Sequence, residues 1–112
     1  MIVELPWPPR ELSPNARPHH MAKARATKAY RSTAHWAAKS ANARAPIGLE
    51  DISLEVTFYP PSRRPDRQNM PGWIKAGIDG IADAIGVNDR RFNPTYHYAE
   101  PIKGGKVTVA VG

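Results

Sequence analysis

Eight residues between Arg63 and Asp89 set acids, bases and amides where they can act together: Arg63, Arg64, Asp66, Arg67, Gln68, Asn69, Lys75 and Asp89. They fall in a proline-broken loop, on a following helix and in the turn that ends it. Carboxylates offered by two loops suit Mg²⁺, which takes oxygen ligands, keeps several waters and shares its shell with substrate phosphates. A lysine beside them can neutralise charge that develops on a phosphodiester during hydrolysis. Asp79 is a candidate additional acid on the same helix. The plainer alternative is that Lys75, Asp79 and Asp83, at i, i+4 and i+8, form a solvated ion-pair ladder worth little energy. For Asp83 that plainer reading is preferred.

The elements that must position these residues follow from hydrophobic period and breakers. A strand is expected at 2–6, ended by Pro6-Trp7-Pro8-Pro9. Prolines 8, 9, 14 and 18 then predict an extended, exposed loop to about His20. The alanine-rich run 22–43 lacks Gly and Pro and predicts one long helix. Ala26, Tyr30, Ala34, Ala37 and Ala41 share its packing face, and Lys28, Arg31, His35 and Lys39 another. Asp51–Tyr59 alternates Ile52, Leu54, Val56 and Phe58 inward, which is the clearest strand signal in the chain. Pro71 suits the first turn of a second helix, Ile74, Ile78, Ile81 and Ile85 make its buried stripe, and Gly86 its C-terminal cap. Strands at 95–99 and 106–111 complete the order, with Lys103-Gly104-Gly105 joining them as a hairpin. The expectation is one α+β domain over 1–112, two helices packed on a mixed four-stranded sheet in the order β-α-β-α-β-β.

A chain of 112 residues with 41% hydrophobic content has room for one core. It has no cysteine, which excludes disulfides, thiolate catalysis and cysteine-bound zinc. No apolar run approaches the roughly 18 residues of a membrane span, and residues 1–6 lack the pattern of a signal peptide. A soluble protein of the cytoplasm, in a bacterial or phage-infected cell, is expected. The net charge of +6 is lopsided: residues 1–49 carry eight Lys/Arg against Glu4 and Glu11, and residues 50–112 carry eight of each sign. Excess charge confined to the first half points to a polyanion partner. His19-His20 has no accompanying ligand cluster, so DNA contact or simple exposure is expected there. Trp7, Trp36 and Trp73 are expected in the core or at a subunit interface, with a base-stacking role left open for Trp73.

Taken in order, Pro6-Trp7-Pro8-Pro9, Lys28-Ala29-Tyr30-Arg31, Arg63-Arg64-Pro65-Asp66-Arg67-Gln68-Asn69, Lys75-Ala76-Gly77-Ile78-Asp79-Gly80-Ile81, Val87-Asn88-Asp89 and Lys103-Gly104-Gly105 resemble the RusA family of Holliday-junction resolvases. That resemblance spans nearly the whole chain. It implies a homodimer that binds four-way DNA junctions and cleaves phosphodiesters with Mg²⁺, for which Mn²⁺ can substitute. The family's paired acids fall on Asp66 and Gln68, its helix lysine on Lys75 and its later aspartate on Asp89. Asp66, Gln68 and Asp89 become the implied metal ligands, and Arg63, Arg64, Arg67, Asn69, Lys28, Arg31 and Lys39 the implied DNA contacts. The chain departs from the pattern at Gln68, where an amide replaces the second aspartate, and in a slightly longer segment between Asn69 and Lys75. An amide oxygen brings no charge, so weaker metal binding is expected. Three accounts stay open: recruitment of another acid such as Asp79, junction binding with poor cleavage, or an engineered substitution that traps an uncleaved state. The competing class is a non-catalytic basic nucleic-acid-binding protein whose acids only balance charge.

Overall fold

A computed structural model describes residues 1–48, 50–62 and 69–112. Asp66, Gln68, Arg63, Arg64 and Arg67 therefore lie outside the described residues.

Four strands and two helices follow in the expected order: β1 (Ile2–Pro6), α1 (His20–Ser40), β2 (Ile52–Tyr59), α2 (Met70–Ile85), β3 (Phe92–Tyr98) and β4 (Lys106–Val111). Single 3₁₀ turns precede α1, at Arg10–Leu12, and β3, at Asp89–Arg91. The sheet is mixed, in the spatial order β1-β4-β2-β3, with β2 and β3 parallel and the other pairs antiparallel. Strict alternation in β1, β2 and β4 puts Val3, Leu5, Ile52, Leu54, Val56, Phe58, Val107, Val109 and Val111 on the buried face under the helices.

The expected hairpin between the last two strands does not form. β3 and β4 lie on opposite edges of β2, and the connection arches over its end: Ala99 N–H donates to Phe58 O and Ile102 N–H to Pro60 O, each at 2.9 Å. The physical reason is in the strands themselves. β3 contains Pro94, which has no N–H for a ladder and suits an edge, whereas β4 buries three valines and gains pairing on both sides by lying between β1 and β2. β3 also begins at Phe92, three residues before the strand expected at 95–99, because parallel pairing with β2 starts at Ile52–Phe92.

α1 is shifted two or three residues toward the N-terminus of the expected 22–43. At its start the His19 imidazole accepts from Met21 N–H at 3.3 Å, so this histidine serves as a cap. At its end Asn42 adopts φ 56°, and the bonds Asn42 N–H to Lys39 O and Ala43 N–H to Ala38 O close a Schellman turn. The packing face differs by one residue. Tyr30, Ala34 and Ala38 are fully buried, while Ala26, Ala37 and Ala41 are partly so. Within the proline-rich loop, Pro8 and Leu12 are buried, so the segment is packed rather than wholly exposed.

α2 is buried on every side but one. Met70, Ile74, Ala76, Gly77, Ile78, Gly80, Ile81, Ala82 and Ala84 are all buried, and Lys75, Asp79 and Asp83 make the polar strip left over. Its close approach to α1 depends on Gly80. A Cβ there would lie 2.2 Å from Arg31 O and 2.9 Å from the Ala34 methyl. Tyr30 then fixes α1 to β1, its hydroxyl donating to Pro6 O at 2.6 Å, and burial pushes that phenol above its ordinary pKa.

Candidate functional site

The polar strip of α2 faces the turn that follows it. Lys75 Nζ donates to Asp79 Oδ1 at 2.5 Å, the i, i+4 partner on its own helix, and to Asp89 Oδ2 at 2.5 Å, fourteen residues away. The two carboxylate oxygens are thus no farther apart than twice that distance. Partial burial disfavours the Lys75 ammonium, but its bonds to the Asp79 and Asp89 carboxylates, with their charge, outweigh it and hold the pKa above its usual value. The same bond from Lys75, with its charge, holds the Asp89 carboxyl below the ordinary aspartate range.

Asp89 owes its position to a turn with its own fastenings. Asn88 caps the 3₁₀ turn, its side-chain oxygen accepting from Arg90 N–H at 2.9 Å. Arg91 Nη2 donates to Gly48 O at 2.8 Å and to Glu50 O at 3.0 Å, tying the turn to the segment before β2. Gly86, at φ 74°, releases the chain from α2 just ahead of it.

Asp83 stands apart from this cluster. It pairs with α1 across the helix interface, Arg31 Nε to Oδ2 at 2.6 Å and Nη2 to Oδ1 at 2.8 Å. The bidentate contact holds the Asp83 carboxyl below its usual pKa and the guanidinium above its own. The alternative of a ladder Lys75-Asp79-Asp83 is met only in its first step, since Lys75 pairs with Asp79 and Asp89 while Asp83 pairs with Arg31. The basic stripe Lys28-Arg31-Lys39 is interrupted in the same way, since Arg31 turns toward Asp83 while Lys28 and Lys39 stay exposed.

Two clefts open on either side of the Lys75–Asp79 pair. One, of about 220 Å³, is lined by Arg31, Asp79, Asp83, Asn88 and Asp89. The other, of about 310 Å³, is lined by Lys23, Thr27, Trp73, Lys75 and Asp79. Trp73 is a fixed wall there: its indole N–H donates to Pro9 O at 2.7 Å and its ring meets Trp7 edge-on at 5.6 Å. Trp7 and Trp73 are packed, as expected of them, whereas Trp36 is 64% exposed and so no part of this chain's core.

Of the residues singled out in the sequence, the fold brings together Lys75, Asp79 and Asp89, with Arg31 on the cleft rim. It places Asn69 at the N-terminus of α2, where its carbonyl accepts from Trp73 N–H at 3.1 Å. Lys23 and Arg91 were not anticipated; neither has a local motif, and only the packing of α1 and of the loop before β2 assigns them a place. Asn88 had a signal in the turn sequence Asn88-Asp89.

Among the described residues there is no group of three or more His, Asp or Glu able to hold a metal ion. Asp79 and Asp89 converge as a pair of hard oxygen donors on one exposed cation, and that donor chemistry fits Mg²⁺, which is held through one or two carboxylates with waters and phosphate completing the shell.

Comparison with known proteins adds one relative and no family. A protein of Xylella fastidiosa, described only as uncharacterized, is 44% identical over 93 residues. The match covers 80% of this chain and 61% of that protein, so the chain spans about three fifths of its relative's length. No family model matches the sequence.

Proposed function

We propose that this chain is a metal-dependent endonuclease of RusA-like kind, acting on four-way DNA junctions as a homodimer. The observation that carries the reading is the convergence of Asp79 and Asp89 on the Lys75 ammonium, at the one polar strip of an otherwise buried helix. Asp89 and Asp79 would hold Mg²⁺ or Mn²⁺, together with Asp66 and the Gln68 amide. A bound divalent ion supplies charge neutralisation and a more acidic water. Lys75, its side chain 55% exposed, is free to donate to a phosphate oxygen while remaining charged. Asp79 takes the role of the acid missing at position 68. On this reading Arg63, Arg64, Arg67 and Asn69 would be the contacts to the scissile phosphate, and Lys28 and Lys39 further contacts to the nucleic-acid backbone.

A synthetic four-way junction incubated with Mg²⁺ or Mn²⁺ tests this. The parent should cut; Asp89→Asn and Asp79→Asn should each lose activity by on the order of 10²-fold, and Gln68→Asp should gain. A parent that binds junctions with or without metal and never cuts favours the second reading, a basic nucleic-acid-binding protein. The Lys75 ammonium, already paired with both acids, speaks for that alternative.

A further inference from the structure

α1 spans 21 residues with five cations, Lys23, Arg25, Lys28, Arg31 and Lys39, and no acid. Turning about 100° per residue, Met21, Arg25, Lys28, Ser32, Trp36 and Lys39 project along one side, opposite the buried Tyr30, Ala34 and Ala38. All six are exposed, and Trp36 is 64% accessible, with the His35 ring set edge-on against it at 4.9 Å. A large aromatic left in water between cations, its ring braced from one edge, is the combination that holds a base by its face and the flanking phosphates by charge.

We propose that the outward side of α1 is a single-strand nucleic-acid surface on which Trp36 stacks an unpaired base. It rests on the nucleic-acid part of the function above and not on catalysis. Three features of the structure favour this partner. Pairing two copies through this side would set cation against cation, with no acid on the helix to offset it. A membrane-surface helix needs a broad apolar side, and that of α1 is already spent on α2 and β1. Finally, the surface is continuous with the candidate site: Arg31 lines the cleft of Asp79 and Asp89, and the exposed positions begin on its far side. A strand displaced near Lys75 can therefore run over the rim onto α1.

The test is tryptophan fluorescence of the full chain titrated with a short thymidine oligonucleotide, beside the matching duplex and anionic phospholipid vesicles. Trp7 and Trp73 are partly buried and Trp73 lines the cleft beside Lys75, so the share of quenching due to Trp36 is what Trp36→Phe loses, and the affinities of all variants are read from the anisotropy of the labelled oligonucleotide. The oligonucleotide should quench emission. Trp36→Ala should bind it roughly tenfold or more weakly, and Trp36→Phe should keep most of the affinity. Lys28→Ala and Lys39→Ala should each lower the slope of log K against log salt by about 0.7. The inference is overturned if Trp36→Ala binds the oligonucleotide as the parent does, if vesicles alone quench, or if Trp36→Ala dissociates a dimer that the parent forms. Cleavage of the junction is followed in parallel. An inactive parent whose oligonucleotide binding depends on Trp36 removes only the nuclease reading, whereas an active parent indifferent to Trp36→Ala removes only this one.

Discussion

Arg31 and Asp83 make a bidentate ion pair, yet both side chains are nearly half exposed, at 48% and 43%. Exposed pairs contribute about 0–1 kcal/mol, and a bidentate geometry belongs at the upper end. Because Arg31 holds the Asp83 pKa below its unfolded value, the contribution is present above the ordinary aspartate range and is lost as pH falls through the folded value. Asp83→Asn should therefore lower thermal stability slightly at neutral pH and not at all once carboxylates are protonated. Calorimetry of both proteins across that range checks the sign; a difference that persists in acid would assign Asp83 a role other than pairing. Lys75 belongs to a different class of residue, because removing it leaves two carboxylates facing one another. Lys75→Met should release the Asp89 carboxyl from its lowered pKa and raise it, visible in a carboxyl titration followed by NMR.

At the scale of elements, the site depends on how closely α1 and α2 approach. Gly80 sets that distance, and Arg31 reaches Asp83 only because the helices nearly touch there. Gly80→Ala has good intrinsic helix propensity but must displace Arg31 O, and overpacking of this kind costs about 1–3 kcal/mol. Chemical denaturation should show the loss, and the 220 Å³ cleft should lose its Arg31 wall. Gly77→Ala meets side chains instead of backbone, the buried Tyr30 ring at 2.8 Å and Leu5 at 3.2 Å, and should destabilise as well but by less than a Cβ set 2.2 Å from Arg31 O. The strand expected at 95–99 and the hairpin after it show the complementary lesson. Pro94 suits β3 to an edge, but that the free edge is that of β2 is set by the rest of the sheet and not by residues 92–105.

At the scale of the whole molecule, excess charge in the first 49 residues becomes a surface, because α1 carries five of those eight cations and turns three of them, Arg25, Lys28 and Lys39, outward together. Binding to any nucleic acid should weaken steeply with salt, a sequence-independent signature that a filter or anisotropy assay reads directly. A homodimer would supply the two-fold symmetry that paired cuts need. Sedimentation equilibrium should find two copies; a monomer at every concentration would leave the chain unable to make coordinated cuts.

The sequence by itself determined the elements and their inward faces, since period, prolines and the Gly86 cap act over a few residues: β1, β2, β4 and α2 fall where they were expected. It also marked Lys75, Asp79 and Asp89 as chemically able. Only the tertiary structure decided that Asp79 joins Asp89 on one ammonium while Asp83 leaves for Arg31, that β4 lies inside the sheet, and that Trp36 faces water. Those outcomes turn on which surfaces the packing of α1, α2 and β2 leaves open, and that is a property of the assembled core rather than of any segment.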